Sequence, residues 1–248
     1  SPEHPHLYKA LTRIVVGGKV TDEYETRFGI RSIEFIPEKG FYLNGVHRKF
    51  KGVCNHHDLG PLGAAISVPA LRHQLDLLKN MGCDAVRTSH NIPAPELVSL
   101  CDEMGFMVMV EPFDEWNDAK CQNGYHRFFD EWAERDMMNM LHSFRNSPAV
   151  VMWSIGNEVP SQCSPTGYKT ASFLQGICHR EDPTRPVTCG MDQVSCVLTN
   201  GFAALLDIPG INYRTFRYKE CYERLPQGLV LGSETASAVS SRGVYHFP

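Results

Sequence analysis

From residue 40 onward the chain repeats one unit: a short apolar strand, a polar strand end, an amphipathic helix and a closing glycine. The two clearest joints match almost letter for letter, Lys79-Asn80-Met81-Gly82 and Asp102-Glu103-Met104-Gly105. Each follows a helix with one apolar face: Leu71, Leu75 and Leu78 over Pro69–Met81, then Leu97, Leu100, Cys101 and Met104 after Pro95. Proline suits the first helical turn and glycine the position just past the end. Strands alternating with helices define a parallel α/β fold, because a parallel pair needs a crossover that a helix supplies.

The strands expected from this alternation are Lys49–His57, Asp84–His90, Phe106–Phe113, Val150–Ile155, Pro186–Gly190, Ile208–Tyr213 and Leu229–Glu234. Helices are expected over Tyr125–Phe144 and residues 168–180. Phe106–Phe113 is nearly all apolar, as a strand covered on both faces must be. Seven such strands point to a (β/α)8 TIM barrel lacking its last strand. A doubly wound open sheet is the competing α/β architecture, but it calls for a glycine-rich loop after the first strand, and none is present. Residues 1–36 differ. Leu7–Val16 and Tyr24–Phe35 are rich in β-branched and aromatic residues, with a Gly17-Gly18 turn between them. They are expected to be the tail of a β-sandwich, with residues 37–248 forming the barrel.

The length of 248 residues, 42% hydrophobic content and 21% charge allow one large barrel domain. A net charge of −4 with dispersed basic residues argues against nucleic acid or a membrane surface as partner. No apolar run approaches the roughly 20 residues of a membrane helix. The opening Ser-Pro-Glu-His-Pro reads as the middle of a longer polypeptide, so cytoplasmic and periplasmic locations both stay open. The nine cysteines are scattered without a C-x-x-C pair and are expected to be reduced thiols rather than a disulfide or metal framework.

A barrel of this kind carries its chemistry at the C-terminal strand ends. There the sequence places His56-His57-Asp58, Arg87 to His90, Glu111 with Asp114-Glu115-Trp116, Asn157-Glu158, Asn212-Tyr213 and Glu234. Any one of these could be a solvated strand end. Together they mix carboxylates with Trp, Tyr and His, the mixture that stacks on a sugar ring and binds its hydroxyls. Glu158 and Glu234 end the fourth and seventh strands, which face each other across the barrel mouth. Glycosidic cleavage needs such a pair of carboxylates, one as proton donor and one as nucleophile or base.

These motifs carry a resemblance to glycoside hydrolase family 2, which includes β-galactosidases, β-glucuronidases and β-mannosidases. Tyr24-Glu-Thr-Arg-Phe-Gly-Ile-Arg-Ser-Ile-Glu-Phe35 resembles the family's junction between its immunoglobulin-like domain and the barrel, which implies that residues 1–36 are the C-terminal strands of an immunoglobulin-like β-sandwich domain. Lys51-Gly-Val-Cys-Asn-His-His57 resembles its first barrel strand, and the strongest matches are Val86-Arg-Thr-Ser-His90 and Trp153-Ser-Ile-Gly-Asn-Glu158. The resemblance implies a retaining β-glycosidase with Glu158 as general acid/base and Glu234 as nucleophile, working through a covalent glycosyl-enzyme. It implies that Asn157 binds the sugar 2-hydroxyl, that Tyr213 and Arg87 hold Glu234, and that His56 and His90 line the sugar site. Glu111 and Trp116 are expected in the pocket. Some members bind Mg²⁺ through a glutamate, a histidine two residues later and the acid/base; Glu115 fits the first, but Asn117 replaces the histidine, so no metal cofactor is expected.

A carbohydrate is therefore the expected partner, a homo-oligomer is left open, and the absence of a basic cluster at the rim beyond Arg87 favours a neutral sugar, a β-galactoside before a β-glucuronide or β-mannoside. A metal-dependent barrel hydrolase built on His56, His57, Asp58 and His90 is a remoter alternative, weakened because adjacent strand residues point to opposite faces. A non-catalytic carbohydrate-binding barrel is the other, although both carboxylates that catalysis requires are present.

Overall fold

A computed structural model describes residues 1–237. Its centre is one parallel sheet of seven strands in chain order: β6 (Gly52–His56), β7 (Ala85–Ser89), β8 (Met107–Val110), β9 (Val150–Asn157), β10 (Val187–Met191), β11 (Ile208–Asn212) and β12 (Leu231–Glu234). Before it come a hairpin of β1 (Tyr8–Val16) and β2 (Lys19–Phe28), and an antiparallel sheet of β3 (Ile33–Ile36), β4 (Gly40–Leu43) and β5 (Val46–Arg48). The helices are α1 (Val68–Asn80), α2 (Pro95–Met104), α3 (Phe129–Phe144), α4 (Gly167–Glu181), the short α5 (Val194–Val197) and α6 (Phe202–Leu205), and α7 (Tyr218–Arg224). The expected seven-strand barrel is thus present, with strand ends shifted by up to three residues and Tyr125–Arg127 forming a separate 3₁₀ turn before α3.

The strand expected to be covered on both faces, β8, buries three of its four residues, with Met109 half-buried. All eight residues of β9 and all five of β7, β10 and β11 are buried. Outside them, α1 to α4 bury Leu75, Cys101, Met137, Leu141, Leu174 and Ile177 against the sheet in one continuous core. The sheet curls so far that its ends meet: the Cys54 thiol of β6 donates to the Ser233 carbonyl of β12 at 3.2 Å. No ladder joins β6 to β12 among the described residues. A cavity of about 570 Å³ runs between them, from Met107 and Met152 at the floor to Arg87, Tyr213 and Glu234 at the top.

Two expectations are corrected. Tyr24–Phe35 is not one strand. Pairing with β1 ends at Phe28, and Ile33–Ile36 pairs instead with Gly40–Leu43. The break is fixed by Arg31, whose guanidinium donates to the carbonyls of Pro148 and Val150, each at 2.7 Å, at the N-terminal end of β9. From there β3 and β4 close the barrel floor: Phe35, Phe41 and Phe50 stack on one another and, with Leu43, pack against Met107, Val151 and Met152. The second correction concerns the cysteines. Cys163 and Cys196 form a disulfide, with Cα atoms 5.4 Å apart, while the other seven are free. Their separation of 33 residues hid the pair, since only the folding of β9 and β10 side by side brings the loops after them together.

Candidate active site

The strand ends converge on one hydrogen-bonded network. Arg87, on β7, is 4% exposed. Its Nη1 donates to Glu234 Oε1 at 2.5 Å, and its Nη2 donates to Glu111 Oε2 at 2.7 Å and to Asn157 Oδ1 at 3.0 Å. Glu234 is held on its other oxygen by the Tyr213 hydroxyl, which donates to Oε2. Asn212, on β11, donates from one amide nitrogen to Asn157 Oδ1 at 3.0 Å and to Glu158 Oε1 at 2.9 Å. One chain of contacts therefore runs Glu158, Asn212, Asn157, Arg87, Glu234. Gly190 of β10 sits beneath it; a Cβ there would lie 2.8 Å from Arg87 Nη2 and 3.0 Å from Asn157 Oδ1, so a side chain would push the two apart.

The backbone is bent to aim these groups. Glu158 (φ 41°) and Tyr213 (φ 56°) both occupy the left-handed region that side-chain-bearing residues avoid. Each costs on the order of 1–3 kcal/mol, which the surrounding structure must offset. A backbone bond helps at each: Glu158 N–H donates to Gly190 O at 2.7 Å and Tyr213 N–H to Glu234 O at 2.6 Å. Of the four side-chain-bearing residues with positive φ among the described residues, these two share the site, while Glu38 and Asn44 lie in turns beside β4.

The two carboxylates differ in their partners. Burial alone would lower the Arg87 pKa, but Glu111 first, then Cys54 and Glu234, override it and raise it. The guanidinium therefore stays charged beside Glu234. Tyr213 is pushed up to about 12, chiefly because its hydroxyl serves Glu234. Among the described residues Glu158 has no such cation; its contact is the neutral amide of Asn212.

His90 joins the site through Nδ1, 2.6 Å from Glu111 Oε1, with Nε2 3.4 Å from Glu234 Oε1. His56 is exposed and meets the His90 ring edge-on at 5.1 Å. His57 turns away to the Ala64 carbonyl at 3.0 Å, as alternation along a strand requires. No group of three or more His, Cys, Asp or Glu side chains suited to a metal exists among the described residues, so the metallohydrolase reading finds no ligand set.

Three residues stand elsewhere than their sequence position suggested. Trp116 is fully buried, stacked at 5.9 Å on Phe202, with its indole N–H on the Ile155 carbonyl at 2.8 Å. It is a core residue outside the pocket, because the chain turns back under the rim after Phe113. Glu111 is also fully buried and reaches the site only through Arg87 and His90. Glu115 accepts from the N–H groups of Lys120, Cys121 and His126 and lies 2.9 Å from the His126 ring. Burial alone would raise its pKa; the His126 and Lys120 amides lead the groups that instead bring it to about 2. With its lone pairs taken by protein donors and Asn117 exposed, this position does not fit a magnesium ion.

The sequence reading passed over Asn212 as a bridge and over the pair Asp114–Lys120. Lys120 Nζ donates to Asp114 Oδ1 at 2.8 Å and to the Asn157 carbonyl at 2.7 Å, and Asn157 Nδ2 donates to Asp114 at 3.1 Å. A second cation therefore stands at the rim beside Arg87. It lies in an irregular loop that periodicity does not mark.

A parallel barrel with two carboxylates at its C-terminal rim, one beside a fixed arginine and one beside a neutral amide, has the form of a barrel glycoside hydrolase. Residues 35–227 match the TIM barrel domain of glycosyl hydrolases family 2, and residues 1–31 match a second model of that family. The chain belongs to glycosyl hydrolases family 2. It is 38% identical to a protein named β-galactosidase BoGH2A from Bacteroides ovatus, over 98% of this chain and 32% of that protein. It is 35% identical to a β-glucuronidase from Felis catus, over 75% of this chain and 29% of the other. The crystal structure of a family 2 member from Bacteroides cellulosilyticus superposes with a TM-score of 0.89 at 39% identity, over 93% of this chain and 30% of that one. The chain thus spans about a third of the length of these relatives. No helix among the described residues is long and apolar enough to cross a membrane.

Proposed function

We propose that this chain carries the catalytic apparatus of a retaining β-glycosidase, with a β-galactoside as substrate. The asymmetry between the two carboxylates carries the assignment. Glu234, between the Arg87 cation and the Tyr213 hydroxyl, has its carboxylate oriented by both for attack on the anomeric carbon. Glu158, contacted by a neutral amide, is free to hold the proton that the leaving oxygen needs. In the first step Glu234 forms the bond to the anomeric carbon as the glycosidic C–O bond breaks and the Glu158 proton passes to the departing oxygen. In the second, Glu158 takes a proton from water, the water oxygen bonds to the anomeric carbon, and Glu234 is released. On this reading Asn157, held by Arg87, Asn212 and Asp114, meets the 2-hydroxyl.

The galactoside reading is supported by BoGH2A, whose similarity runs over nearly the whole chain. It is also supported by Lys120, whose charge is already paired with Asp114 and is not free for a sugar carboxylate. A β-glucuronide is the second reading. It is favoured by the β-glucuronidase relative and by Arg214, beside Tyr213, which makes no ion pair among the described residues. The neutral β-mannoside has no comparable support. A panel of p-nitrophenyl β-glycosides, with the first-released anomer followed by NMR, tests both parts. Cleavage of the galactoside with the β-anomer released first is expected. Release of the α-anomer first would overturn retention, and hydrolysis of the glucuronide alone would overturn the sugar.

A further inference from the structure

Glu111 lies at the end of β8 with no exposed surface, too deep to touch a sugar, yet it accepts more side-chain hydrogen bonds than either rim carboxylate. Oε2 receives Arg87 Nε at 3.1 Å, Arg87 Nη2 at 2.7 Å and the Ser154 hydroxyl at 2.5 Å. Oε1 faces His90 Nδ1 at 2.6 Å. Burial alone would raise its pKa, but Arg87 first, then His90 and Ser154, lower it, so it sits as a carboxylate. An ionised carboxylate only accepts, which puts the His90 proton on Nδ1.

The other side of the ring is fixed independently. Asn157 Oδ1 must be the oxygen, because Arg87 Nη2 can only donate to it. Asn157 Nδ2 is therefore an N–H donor, and it lies 3.2 Å from His90 Nε2; Glu234 Oε1, 3.4 Å from the same nitrogen, makes a close contact without hydrogen-bond geometry, so Nε2 meets a donor and offers it the lone pair. The two ends of the imidazole thus agree on one tautomer. The charged or titratable groups around this ring are Arg87 on β7, Glu111 after β8, Asp114 and Lys120 in the following loop, Glu234 on β12 and His56 at the end of β6.

We infer that Glu111 is a positioning residue: it braces Arg87 against Glu234 and locks His90 as the neutral Nδ1–H tautomer, leaving Nε2 as a hydrogen-bond acceptor at the sugar site. The activity arm rests on the roles proposed above; the tautomer arm does not. Glutamine at position 111 offers one oxygen and one N–H group in place of two oxygens, so it cannot serve both the guanidinium and the His90 N–H.

The test is the imidazole ¹H–¹⁵N spectrum of His90 in the whole, ¹⁵N-histidine-labelled polypeptide, assigned by the cross-peaks lost in His90→Gln. The wild type is expected to show one tautomer, protonated at Nδ1, at pH 7; protonation at Nε2, or a charged ring, would overturn the inference. Glu111→Gln is expected to lose that single-tautomer signature and to lower kcat/KM about 10²-fold through a misplaced Arg87. A folded Glu111→Gln protein with the same His90 spectrum and unchanged kcat/KM would also overturn it. Ser154→Ala, which removes only one support of the carboxylate, is expected to keep the tautomer with a smaller loss of activity; a loss equal to that of Glu111→Gln would contradict the division of roles. If Glu111→Gln does not fold, the wild-type spectrum decides alone. An error in the nucleophile assignment would appear separately, as activity retained in Glu234→Gln, and would leave the His90 spectrum unchanged.

Discussion

Tyr213 grips Glu234 twice: its backbone N–H donates to the Glu234 carbonyl at 2.6 Å, and its phenolic hydroxyl donates to the Glu234 carboxylate. The first bond continues the parallel pairing of β11 with β12, and the second reaches over the strand ends from a residue with a left-handed backbone. The same two residues thus end a sheet ladder and begin the candidate active site.

Tyr213→Phe keeps the first bond and removes the second. It is expected to lower kcat about 10-fold or more, since a bond to a charged group contributes roughly 1.5–3 kcal/mol. Because folding raises the Tyr213 pKa to about 12 from its ordinary 10, its stabilisation is complete below pH 10 and is lost as pH rises through 12. Urea midpoints measured from pH 8 to 12 should show wild type and Tyr213→Phe converging over that window. A constant difference would contradict the assignment.

The two carboxylates should answer differently to the leaving group. Glu234→Gln is expected to abolish turnover of every substrate. Glu158→Gln should cost about 10²–10⁴-fold with a sugar leaving group and far less with p-nitrophenolate, which departs without a proton. Equal losses on the activated substrate would reverse or erase the proposed roles.

Glu115 is expected to be structural. Glu115→Gln should destabilise the protein by roughly 1–3 kcal/mol at pH 7, because a buried acceptor set is disrupted. Its carboxyl has a folded pKa of about 2 against the ordinary 4.5, so this stabilisation is present above pH 4.5 and fades as pH falls through 2. Added Mg²⁺ should leave the wild-type melting temperature unchanged; a dose-dependent rise would show that the position does take the ion.

Trp116 separates core from pocket. Trp116→Ala should cost about 3–5 kcal/mol of stability by leaving a cavity beside Phe129 and Phe202. Trp116→Phe should lose less and leave KM unchanged. A several-fold rise in KM at unchanged melting temperature would put the indole in the sugar site instead.

The disulfide can be counted. Denatured without reductant, the chain should take up seven alkyl groups, and nine after reduction. Closing a 33-residue separation corresponds to about 3–4 kcal/mol in the chain-entropy account, so reduction should lower the melting temperature measurably. Uptake of nine without reductant would show that the pair is open.

The sequence by itself determined the barrel and which residues stand at its C-terminal rim. Apolar runs, closing glycines and the strand-to-helix period are local, and they decide which segments lie in a parallel sheet and which residues stand at its C-terminal rim. Arg87, His90, Asn157, Glu158, Tyr213 and Glu234 were legible for that reason. Which of the rim residues touch one another is not local. Trp116 and Glu111 read as pocket residues one strand end at a time, and only packing decided that one lies in the core and the other beneath the site. Asn212 and Lys120 gain their meaning from partners 55 and 37 residues away. The pairing of Cys163 with Cys196 waited on two loops becoming neighbours. The break at Arg31, invisible in a continuous run of strand-forming residues, exists because two carbonyls at the barrel floor accept its guanidinium. A linear pattern fixes the period of side chains along a strand; the identity of each partner across the barrel mouth is set by the curvature of the whole sheet.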